Sequence, residues 1–303
     1  MILEALADAV GNTPMVRLRS LEAETPGVQI WAKLDWLNPG GSVKDRAALF
    51  ILRDALARDL VGGRSGRTLI DSTSGNTGIA YAWIGAALGV RVALVMPGNV
   101  SEARKQLTRA YGAEQIFSDP LEQSDGAIRL CRELVAKEPD RWFYADQYSN
   151  PMNPRAHERT TAEEIWRDTN GTVTHFVAGI GTGGTIMGTG RGLRSHAPVQ
   201  IIGVEPAEAL HGLEGLKHMP SSIVPPIYLE KELDRKLSVS TDDGWDMAER
   251  LIAEEALLAG HSAGAAAVGA LQIARELSQA GRSAIVVTLF PDRADRYLPP
   301  PST

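Results

Sequence analysis

The chain has 303 residues, a formal net charge of -6 and a single cysteine, and its isoelectric point lies near 5.6. A chain of this length can bury a large core and usually divides into two domains. The acidic balance and the scattered charges exclude an obvious nucleic-acid partner. The lone Cys131 cannot form a disulfide within the chain, which is typical of proteins from a reducing compartment.

The segments that could direct export, membrane insertion or metal binding show none of the expected patterns. Residues 1–10 contain no lysine or arginine, so they lack the basic region of a secretory signal. Residues 79–90 and 257–274 are short or rich in glycine and alanine, unlike a membrane span of about 20 apolar residues. The six histidines form no zinc-type pair. We therefore expect a soluble, cytoplasmic protein without a membrane partner or a metal site.

The first stretch with unusual chemistry is NPGGSVKDR, residues 38–46. Pro39 and two glycines interrupt the preceding segment, Ser42 is a good N-cap, and Asp45 completes a capping box. The apolar spacing of the ALFILRDALARDL segment that follows predicts an amphipathic helix beginning here.

Lys44 falls in the first turn of that predicted helix, where the helix dipole disfavours a cation by roughly 0.3–1 kcal/mol. The same potential, with Arg46 two residues away, favours the neutral amine, which is the form that attacks carbonyl groups. A lysine that breaks a local rule indicates function. A surface lysine directed into solvent is the alternative on this segment alone.

Apolar runs rich in β-branched residues alternate with helical patterns along the rest of the chain. The predicted strands lie at residues 67–71, 90–97, 174–180, 200–206 and 283–290, and the predicted helices at 77–88, 101–111, 126–138, 185–194 and 265–279. This alternation predicts an α/β fold with parallel sheets covered on both faces. The loop-like NPMNP, residues 150–154, predicts a boundary between a domain at 1–150 and a second at 151–303.

Ligands of such sheets bind at the carboxyl ends of the strands, so turns from strand to helix are the places to search. The first such turn is TSGNTG, residues 73–78, which offers backbone N–H groups, three hydroxyls and an amide at a helix N-terminus. These groups suit a carboxylate or a phosphate. An ordinary polar N-cap turn is the alternative.

The second turn is GIGTGGT, residues 179–185. Gly179, Gly181 and Gly184 satisfy the GxGxxG pattern, and Glu205 ends the next predicted strand about twenty residues later, as in a dinucleotide site. The run of glycine and threonine that ends the motif suits a terminal phosphate monoester equally well. The motif alone does not decide between the two ligands.

The third turn is GHSAGA, residues 260–265, where Ser262 can cap the helix that follows. A plain N-cap serine, worth about 1 kcal/mol, explains it if nothing else is considered. However, one ligand with an aldehyde, a phosphate and an aromatic nitrogen would use the lysine and all three turns. Pyridoxal phosphate is such a ligand.

Several long motifs resemble the cysteine synthase family in their order and spacing, over about residues 11–298. They are GNTPMVRL (11–18), NPGGSVKDR, TSGNTG, MPGNVSEARKQLTRAYGAE (96–114), QYSNPMNPRAH (147–157), GTGGT, GVEP and DRYL. The chain is identified as a member of this family of fold-type II pyridoxal-phosphate enzymes. It most resembles the B-type cysteine synthases, which are O-acetylserine or O-phosphoserine sulfhydrylases.

The resemblance implies a fold of two three-layer α/β/α domains with largely parallel sheets and the active site between them. It further implies that the smaller N-terminal domain carries the loop for the substrate carboxylate and that the larger C-terminal domain binds the cofactor phosphate. Residues 12–36 would contribute to the C-terminal domain. A homodimer is also implied.

Carried over position by position, the resemblance implies that Lys44 forms the internal Schiff base with pyridoxal 5'-phosphate and acts as the catalytic acid and base. Asn76 would bind the phenolic oxygen of the cofactor, and Ser262 would face its pyridine nitrogen. The residues implied for the cofactor phosphate are Gly181, Thr182, Gly183, Gly184 and Thr185. Those implied for the substrate are Thr73, Ser74, Gly75, Asn76, Thr77 and Gln147.

The reaction implied is a β-replacement through an α-aminoacrylate intermediate. O-acetylserine or O-phosphoserine loses its leaving group, and a sulfur nucleophile then adds to form L-cysteine, or S-sulfocysteine where the nucleophile is thiosulfate. The implied partners are therefore a small amino-acid donor and a small sulfur compound.

Some positions depart from the family pattern. Ala263 stands where A-type enzymes carry a second serine, which puts the A-type substrate preference in doubt. In GLKHMP, Lys217 stands where some B-type and phosphoserine-using relatives carry an arginine. We predict that Lys217 helps to bind an anionic group of the donor or of thiosulfate; a solvated surface lysine is the alternative.

Other functions are compatible with parts of the pattern. Lyases similar to cystathionine β-synthase or serine dehydratase share the lysine and the phosphate loop, although the dehydratases differ around TSGNTG. An NAD-dependent oxidoreductase would use the GxGxxG glycines and Glu205, but it would leave NPGGSVKDR and TSGNTG without a role. A non-catalytic binding protein would have no physical need for Lys44, Asn76 and Ser262 together.

Overall fold

The computed structural model describes residues 3–73 and 75–297, with the exception of the side chains at 123 and 124. The chain divides into two compact units. The first unit takes residues 1–10 and 44–153, and the second takes residues 11–43 and 154–303. No helix within the described ranges has both the length and the apolar character needed to cross a membrane.

The elements are numbered in chain order. The strands are β1 (Met15–Arg17), β2 (Val28–Leu34), β3 (Thr68–Ser72), β4 (Val92–Pro97), β5 (Glu114–Ser118), β6 (Trp142–Tyr144), β7 (His175–Gly179), β8 (Gln200–Pro206), β9 (Arg235–Val239) and β10 (Ala284–Phe290). The α-helices are α1 (Arg19–Glu22), α2 (Lys44–Ala57), α3 (Asn76–Leu88), α4 (Glu102–Ala110), α5 (Gln123–Lys137), α6 (Met152–Ala156), α7 (Ala162–Asp168), α8 (Gly184–His196), α9 (Thr241–Glu255) and α10 (His261–Gln279). A π-helical turn, His157–Thr161, joins α6 to α7.

The first unit contains a parallel sheet with the strand order β5-β4-β3-β6 over its described residues. Its central strands β3 and β4 are buried along their whole length, as expected for a parallel sheet covered on both faces. Helices α2 and α3 pack on one face, and α5 packs on the other. Because β3 connects to β4 on one side and pairs with β6 on the other, the strand order reverses between β3 and β6, and ligands bind at such reversals.

The second unit contains a sheet with the order β1-β2-β10-β7-β8-β9 over its described residues. All pairs are parallel except β1 with β2. Helices α9 and α10 pack on one face, and α7 and α8 on the other. The strand order reverses between β7 and β10, so the turn from β7 to α8 also lies at a favourable ligand position.

These observations confirm the predicted α/β class with largely parallel sheets. Each predicted strand and each predicted helix corresponds to an observed element, but the helix starts differ from the predicted ones by one to four residues. Helix α5, for example, begins at Gln123, three residues before its predicted start. An N-cap at Ser42 would make Val43 the first helical residue, whereas α2 begins one residue later, at Lys44. Helix α10 begins at His261, four residues before the predicted start, because Gly260 takes the extended backbone of an N-cap.

Candidate active site

Lys44 is the first residue of α2 and is half-buried. The next two residues, Asp45 and Arg46, are almost completely buried. The indole nitrogen of Trp83 in α3 donates a hydrogen bond of 3.0 Å to Asp45 Oδ1, which ties the start of α2 to α3. The lysine therefore lies at a fixed helix N-terminus, as the sequence predicts.

The turn from β3 to α3 is shaped by the hydroxyl of Thr73. Its oxygen accepts hydrogen bonds from the backbone N–H groups of Gly75, at 3.3 Å, and Gly78, at 3.1 Å. Helix α3 then begins at Asn76, which is half-buried. The predicted site residue Ser74 lies outside the described residues. The turn directs the positive end of the α3 dipole towards the carboxyl edge of the sheet.

Gln147 follows β6 and reaches this turn. Thr77 donates its hydroxyl hydrogen to Gln147 Oε1 at 2.8 Å, and Gln147 Nε2 donates to the carbonyl oxygen of Ser72 at 3.0 Å. The exposed fractions of Gln147 and Thr77 are only 4% and 6%. The two residues are in contact although they lie 70 residues apart in the chain. The fold thus brings together two residues predicted for the substrate carboxylate, and the second N–H of the glutamine amide can donate to an anion.

The turn from β7 to α8 contains glycines that other residues could not replace. A Cβ atom at Gly181 would overlap the carbonyl oxygen of Gly215. Gly183 has φ +87°, in the left-handed region, and a Cβ there would lie 2.8 Å from Cβ of Tyr228. The bare backbone precedes the N-terminus of α8 at Gly184, an arrangement that binds anions.

Two threonines complete this turn. Thr182 Oγ1 accepts a hydrogen bond of 3.3 Å from the backbone N–H of Gly184. Thr185 Oγ1 lies 3.3 Å from Nε2 of His157, whose Nδ1 lies 2.9 Å from the hydroxyl of Thr161. The sequence analysis did not predict this contact of His157 with Thr185. It considered His157 only as a possible zinc ligand and found no partner for that role. Its position within QYSNPMNPRAH was the available signal, and π-helical turns are frequent at functional sites.

The segment 213–219 runs beside the same turn. The backbone N–H of Lys217 donates to the carbonyl oxygen of Ile180 at 2.9 Å, and the side chain of Leu216 occupies the space that a Cβ at Gly179 would need. Lys217 is half-buried. Its backbone is therefore fixed next to the turn from β7 to α8.

Glu205, at the end of β8, holds this segment in place. One carboxylate oxygen lies 3.2 Å from Nζ of Lys236, and the other accepts a hydrogen bond of 3.3 Å from the backbone N–H of Met219. Both oxygens therefore serve contacts within the protein. A role for Glu205 in binding a ribose, as the dinucleotide interpretation requires, does not fit this arrangement.

Ser262 is the second residue of α10 and is 3% exposed. Gly260 occupies the N-cap position, so the interpretation of Ser262 as an N-cap is wrong. The ring of His261 stacks on Trp245, with centroids 4.5 Å apart, and on Tyr297, with centroids 5.8 Å apart. These stacks fix the first turn of α10 and with it the serine hydroxyl. Within residues 3–73 and 75–297, no group of three or more His, Cys, Asp or Glu side chains is placed to hold a metal ion.

A family model described as "Pyridoxal-phosphate dependent enzyme" matches residues 6–292. The chain belongs to this family. Cysteine synthase from Aquifex aeolicus is 53% identical over 298 residues, which cover 97% of this chain and 90% of the relative. Cysteine synthase B from Salmonella typhimurium is 42% identical over 297 residues, which cover 98% and 95%.

A solved structure, cysteine synthase (OASS) from Entamoeba histolytica, superposes with a TM-score of 0.92 at 32% sequence identity and covers 100% of this chain and 93% of that one. Membership of the cysteine synthase family and the cofactor pyridoxal phosphate are thereby confirmed. The dinucleotide interpretation of the GxGxxG glycines is wrong.

The turn from β7 to α8 fits the phosphate of pyridoxal phosphate. Its backbone leaves space that a Cβ would fill, it precedes a helix N-terminus, and it carries the hydroxyls of Thr182 and Thr185. A phosphate monoester needs such N–H and O–H donors and the positive end of a helix dipole.

Proposed function

We propose that this chain is a cysteine synthase that converts O-acetylserine and sulfide into L-cysteine and acetate. The observation that carries the proposal is the hydrogen-bonded pair of Thr77 and Gln147 at the N-terminus of α3. This pair, with the hydroxyl of Thr73, offers a built site for the carboxylate of an amino-acid donor. The curated relatives with which the chain shares most of its length are cysteine synthases, which supports the same activity.

The cofactor would be held by groups of complementary chemistry. Lys44 would bind its aldehyde carbon, Asn76 its phenolic oxygen and Ser262 its pyridine nitrogen. The phosphate would be bound by Gly181, Thr182, Gly183, Gly184 and Thr185. When bound, pyridoxal phosphate supplies an electron sink for negative charge at the α-carbon of the donor.

The substrate would be oriented by the turn that follows β3. Its carboxylate would accept hydrogen bonds from the Thr73 hydroxyl, the backbone N–H of Thr77 and the second amide N–H of Gln147, and the dipole of α3 favours a negative charge at that point. Ser74 and Gly75 belong to the same proposed set. Such orientation fixes the α-carbon and the β-leaving group relative to the amine of Lys44.

Lys44 Nζ would then remove the proton from the α-carbon of the donor and later return it. A lysine acts as a base only in its neutral form, which the N-terminus of α2 favours. The hydroxyl of Ser262 carries no negative charge. At the pyridine nitrogen it would therefore not keep the ring protonated, as a carboxylate would. The weaker electron sink suits loss of a β-leaving group better than it suits transamination.

The test compares Lys44→Ala with Lys137→Ala, a lysine at the exposed end of α5. Unaltered protein and Lys137→Ala, supplied with pyridoxal phosphate, should show the violet absorption band of the lysine-bound cofactor and form cysteine from O-acetylserine and sulfide. Lys44→Ala should lack that band and lose on the order of 10³-fold or more in rate. A Lys44→Ala protein that forms cysteine at the unaltered rate would contradict the proposal.

The same site supports a proposal about the donor. Because the backbone of Lys217 is bound to Ile180 beside the phosphate turn, its ammonium group is a suitable partner for an anionic donor such as O-phosphoserine, or for thiosulfate. Lys217→Ala should raise KM for O-phosphoserine about tenfold and leave KM for O-acetylserine unchanged. The exposed Lys231→Ala serves as the control. Equal losses with both donors would reject this role.

The cell compartment is part of the proposal. Cys131 is buried in α5, and its burial raises the pKa of the thiol well above its usual range. A free, unreactive thiol in the core suits a reducing environment. We therefore place the enzyme in the cytoplasm, where O-acetylserine and sulfide would reach it as small solutes.

A further inference from the structure

Asp71, in β3, is the acidic residue that precedes the substrate turn. Its exposed fraction is 0%, and burial raises the pKa of its carboxyl to about 7. Within the described residues, no cation forms an ion pair with it. Burying a carboxyl group without a cation is costly, so its presence calls for a function that offsets the cost.

The two oxygens of Asp71 hold two backbone segments. Oδ1 accepts a hydrogen bond of 2.8 Å from the backbone N–H of Ser72, and Oδ2 accepts one of 3.1 Å from the backbone N–H of Gln147. The carboxyl group thus connects the end of β3 to the segment that follows β6. These are the two strands between which the order of the sheet reverses.

The backbone that Asp71 holds is not in a relaxed conformation. Asp146 has φ +43°, in the left-handed region that residues other than glycine rarely adopt. The carbonyl oxygen of Gln147 is in turn held by Nδ2 of Asn153 at 2.7 Å. A strained residue persists only where its surroundings hold it. Here the bonds to Gln147 do so, together with the hydrogen bonds that the Asp146 carbonyl accepts from the backbone N–H groups of Ser149 and Asn150.

Gln147, whose backbone N–H is bound by Asp71, also positions the substrate turn through its side chain. The side chain of Gln147 accepts from the Thr77 hydroxyl at 2.8 Å and donates to the Ser72 carbonyl at 3.0 Å. A shift of the Gln147 backbone would therefore move both its own amide and the Thr77 hydroxyl. No other described carboxyl group accepts from the Gln147 backbone N–H.

We infer that Asp71 is a positioning residue for the donor carboxylate, which it serves by fixing the Gln147 backbone so that the amide of Gln147 and the hydroxyl of Thr77 keep their geometry. The inference rests on the proposed function, in which the Gln147 amide binds that carboxylate and the Thr77 hydroxyl fixes the orientation of the amide. Asp71 itself touches neither the donor nor the cofactor in this role.

The test uses Asp71→Asn, which keeps the shape of the side chain but turns an NH₂ group towards one of the two backbone N–H donors. We expect KM for O-acetylserine to rise about tenfold, as loss of one hydrogen bond to a charged group implies, with kcat within about twofold of the unaltered enzyme. The violet band of the holoenzyme should be unchanged, while titration with O-acetylserine should require a correspondingly higher concentration. Ser118→Ala is the control, because that buried hydroxyl also ends a strand of this sheet and lacks a partner.

A double variant separates positioning from a general effect on the fold. Gln147→Ala keeps the backbone N–H that Asp71 holds but removes the side chain to be positioned. In that background Asp71→Asn should raise KM no further. An equal rise in both backgrounds, or a fall in kcat with KM unchanged, would overturn the inference.

The outcomes also separate this inference from the proposed function. If Gln147→Ala binds O-acetylserine normally, the proposed carboxylate site fails and the inference with it. If Gln147→Ala raises KM but Asp71→Asn does not, only the inference fails. Asp71→Ser, which keeps one acceptor in a smaller volume, repeats the test; failure of both Asp71 variants to give folded holoenzyme would assign the residue to stability and overturn the inference.

Discussion

Gly181 lies in the turn proposed to bind the cofactor phosphate, and its lack of a side chain allows two backbone segments to approach each other closely. The carbonyl oxygen of Gly215 occupies the space where a Cβ at residue 181 would lie. The segment 213–219 is itself held by the bonds of Lys217 and of Glu205, so it cannot move away without breaking them. The close approach of the two backbones therefore depends on glycine at this position.

Gly181→Ala should weaken cofactor binding at least about tenfold and lower the free energy of unfolding by about 1–3 kcal/mol, because the added methyl forces the two segments apart. The measurements are a titration with pyridoxal phosphate, followed by absorption, and urea unfolding. Gly98→Ala is the control, since a Cβ there meets its nearest atom at 3.5 Å, an ordinary contact. Equal cofactor affinity in the two variants would show that the turn tolerates a side chain.

The position of a single residue in a helix could be predicted from the sequence only where neighbouring residues determine it. Lys44 at a helix start followed from the residues within three positions of it, and the structure agrees to within one residue. The alternative in which Ser262 is an N-cap is wrong, because Gly260, two residues earlier, is also an acceptable cap and packing of His261 between two aromatic rings favours the earlier start. The roles of these residues in binding stay predictions.

At the scale of elements, a buried ion pair connects β2 to α7. Lys33 is completely buried, and its ammonium group lies 2.8 Å from Glu164 Oε2 and 3.7 Å from Asp168 Oδ2. It also donates to the carbonyl oxygen of Thr13 at 2.8 Å. The three acceptors come from two separate parts of the chain, so this lysine joins the β1–β2 hairpin to the helical layer.

Lys33→Met should destabilise the protein by about 3–5 kcal/mol, because it removes one partner of a buried ion pair and leaves the charge of Glu164 uncompensated by Lys33. Adding Glu164→Gln should recover part of that loss. The exposed pair Arg58–Asp54 offers a matched comparison, in which Arg58→Met should cost less than about 1 kcal/mol. The free energy of unfolding is measured in urea at neutral pH for the unaltered protein, Lys33→Met, the double variant with Glu164→Gln, and Arg58→Met. Equal losses of this free energy for Lys33→Met and Arg58→Met would refute the stabilising role of the buried pair.

The elements that the sequence predicted are the long central ones. Strands β3, β4, β7, β8 and β10 read as continuous apolar runs because both of their faces are buried, and the intervening helices show the apolar spacing of one buried face. The sequence analysis did not predict β1 and β6, which have three residues each, or β5 and β9 at sheet edges. It also missed β2, an interior strand of seven residues. Short and edge strands carry too few buried side chains to produce a period, so pairing with a neighbour defines them.

At the scale of the whole molecule, distant segments of the chain combine within one sheet. Val28 of β2 pairs with Ala284 of β10, although more than 250 residues separate them. Residues 11–43 accordingly belong to the unit that contains residues 154–303. No local pattern specifies such a pairing, because either strand alone would fit any parallel neighbour with a buried face.

The oligomeric state is a prediction at this scale. Light scattering of the purified holoenzyme should give a mass about twice the chain mass of 32.6 kDa, because the family resemblance implies a homodimer. The mass should not change on dilution over about two decades of concentration if the interface is of the size found in permanent dimers. A mass equal to that of one chain would refute the homodimer.

The sequence by itself determined the α/β class, the central strands and the glycine-rich turns that follow them, because each depends on residues within a few positions of one another. The binding of ligands at these turns stays a prediction. The sequence also carried enough family motifs to identify the cofactor. Only the tertiary structure brought Gln147 to Thr77, placed His157 beside Thr185 and buried Asp71 behind the turn from β3 to α3. These contacts join residues between 28 and 76 positions apart. The two contacts of Gln147 form because parallel strands meet with their carboxyl ends at one edge, and that of His157 forms because a helical turn packs beside the start of α8, neither of which a short segment of the chain encodes.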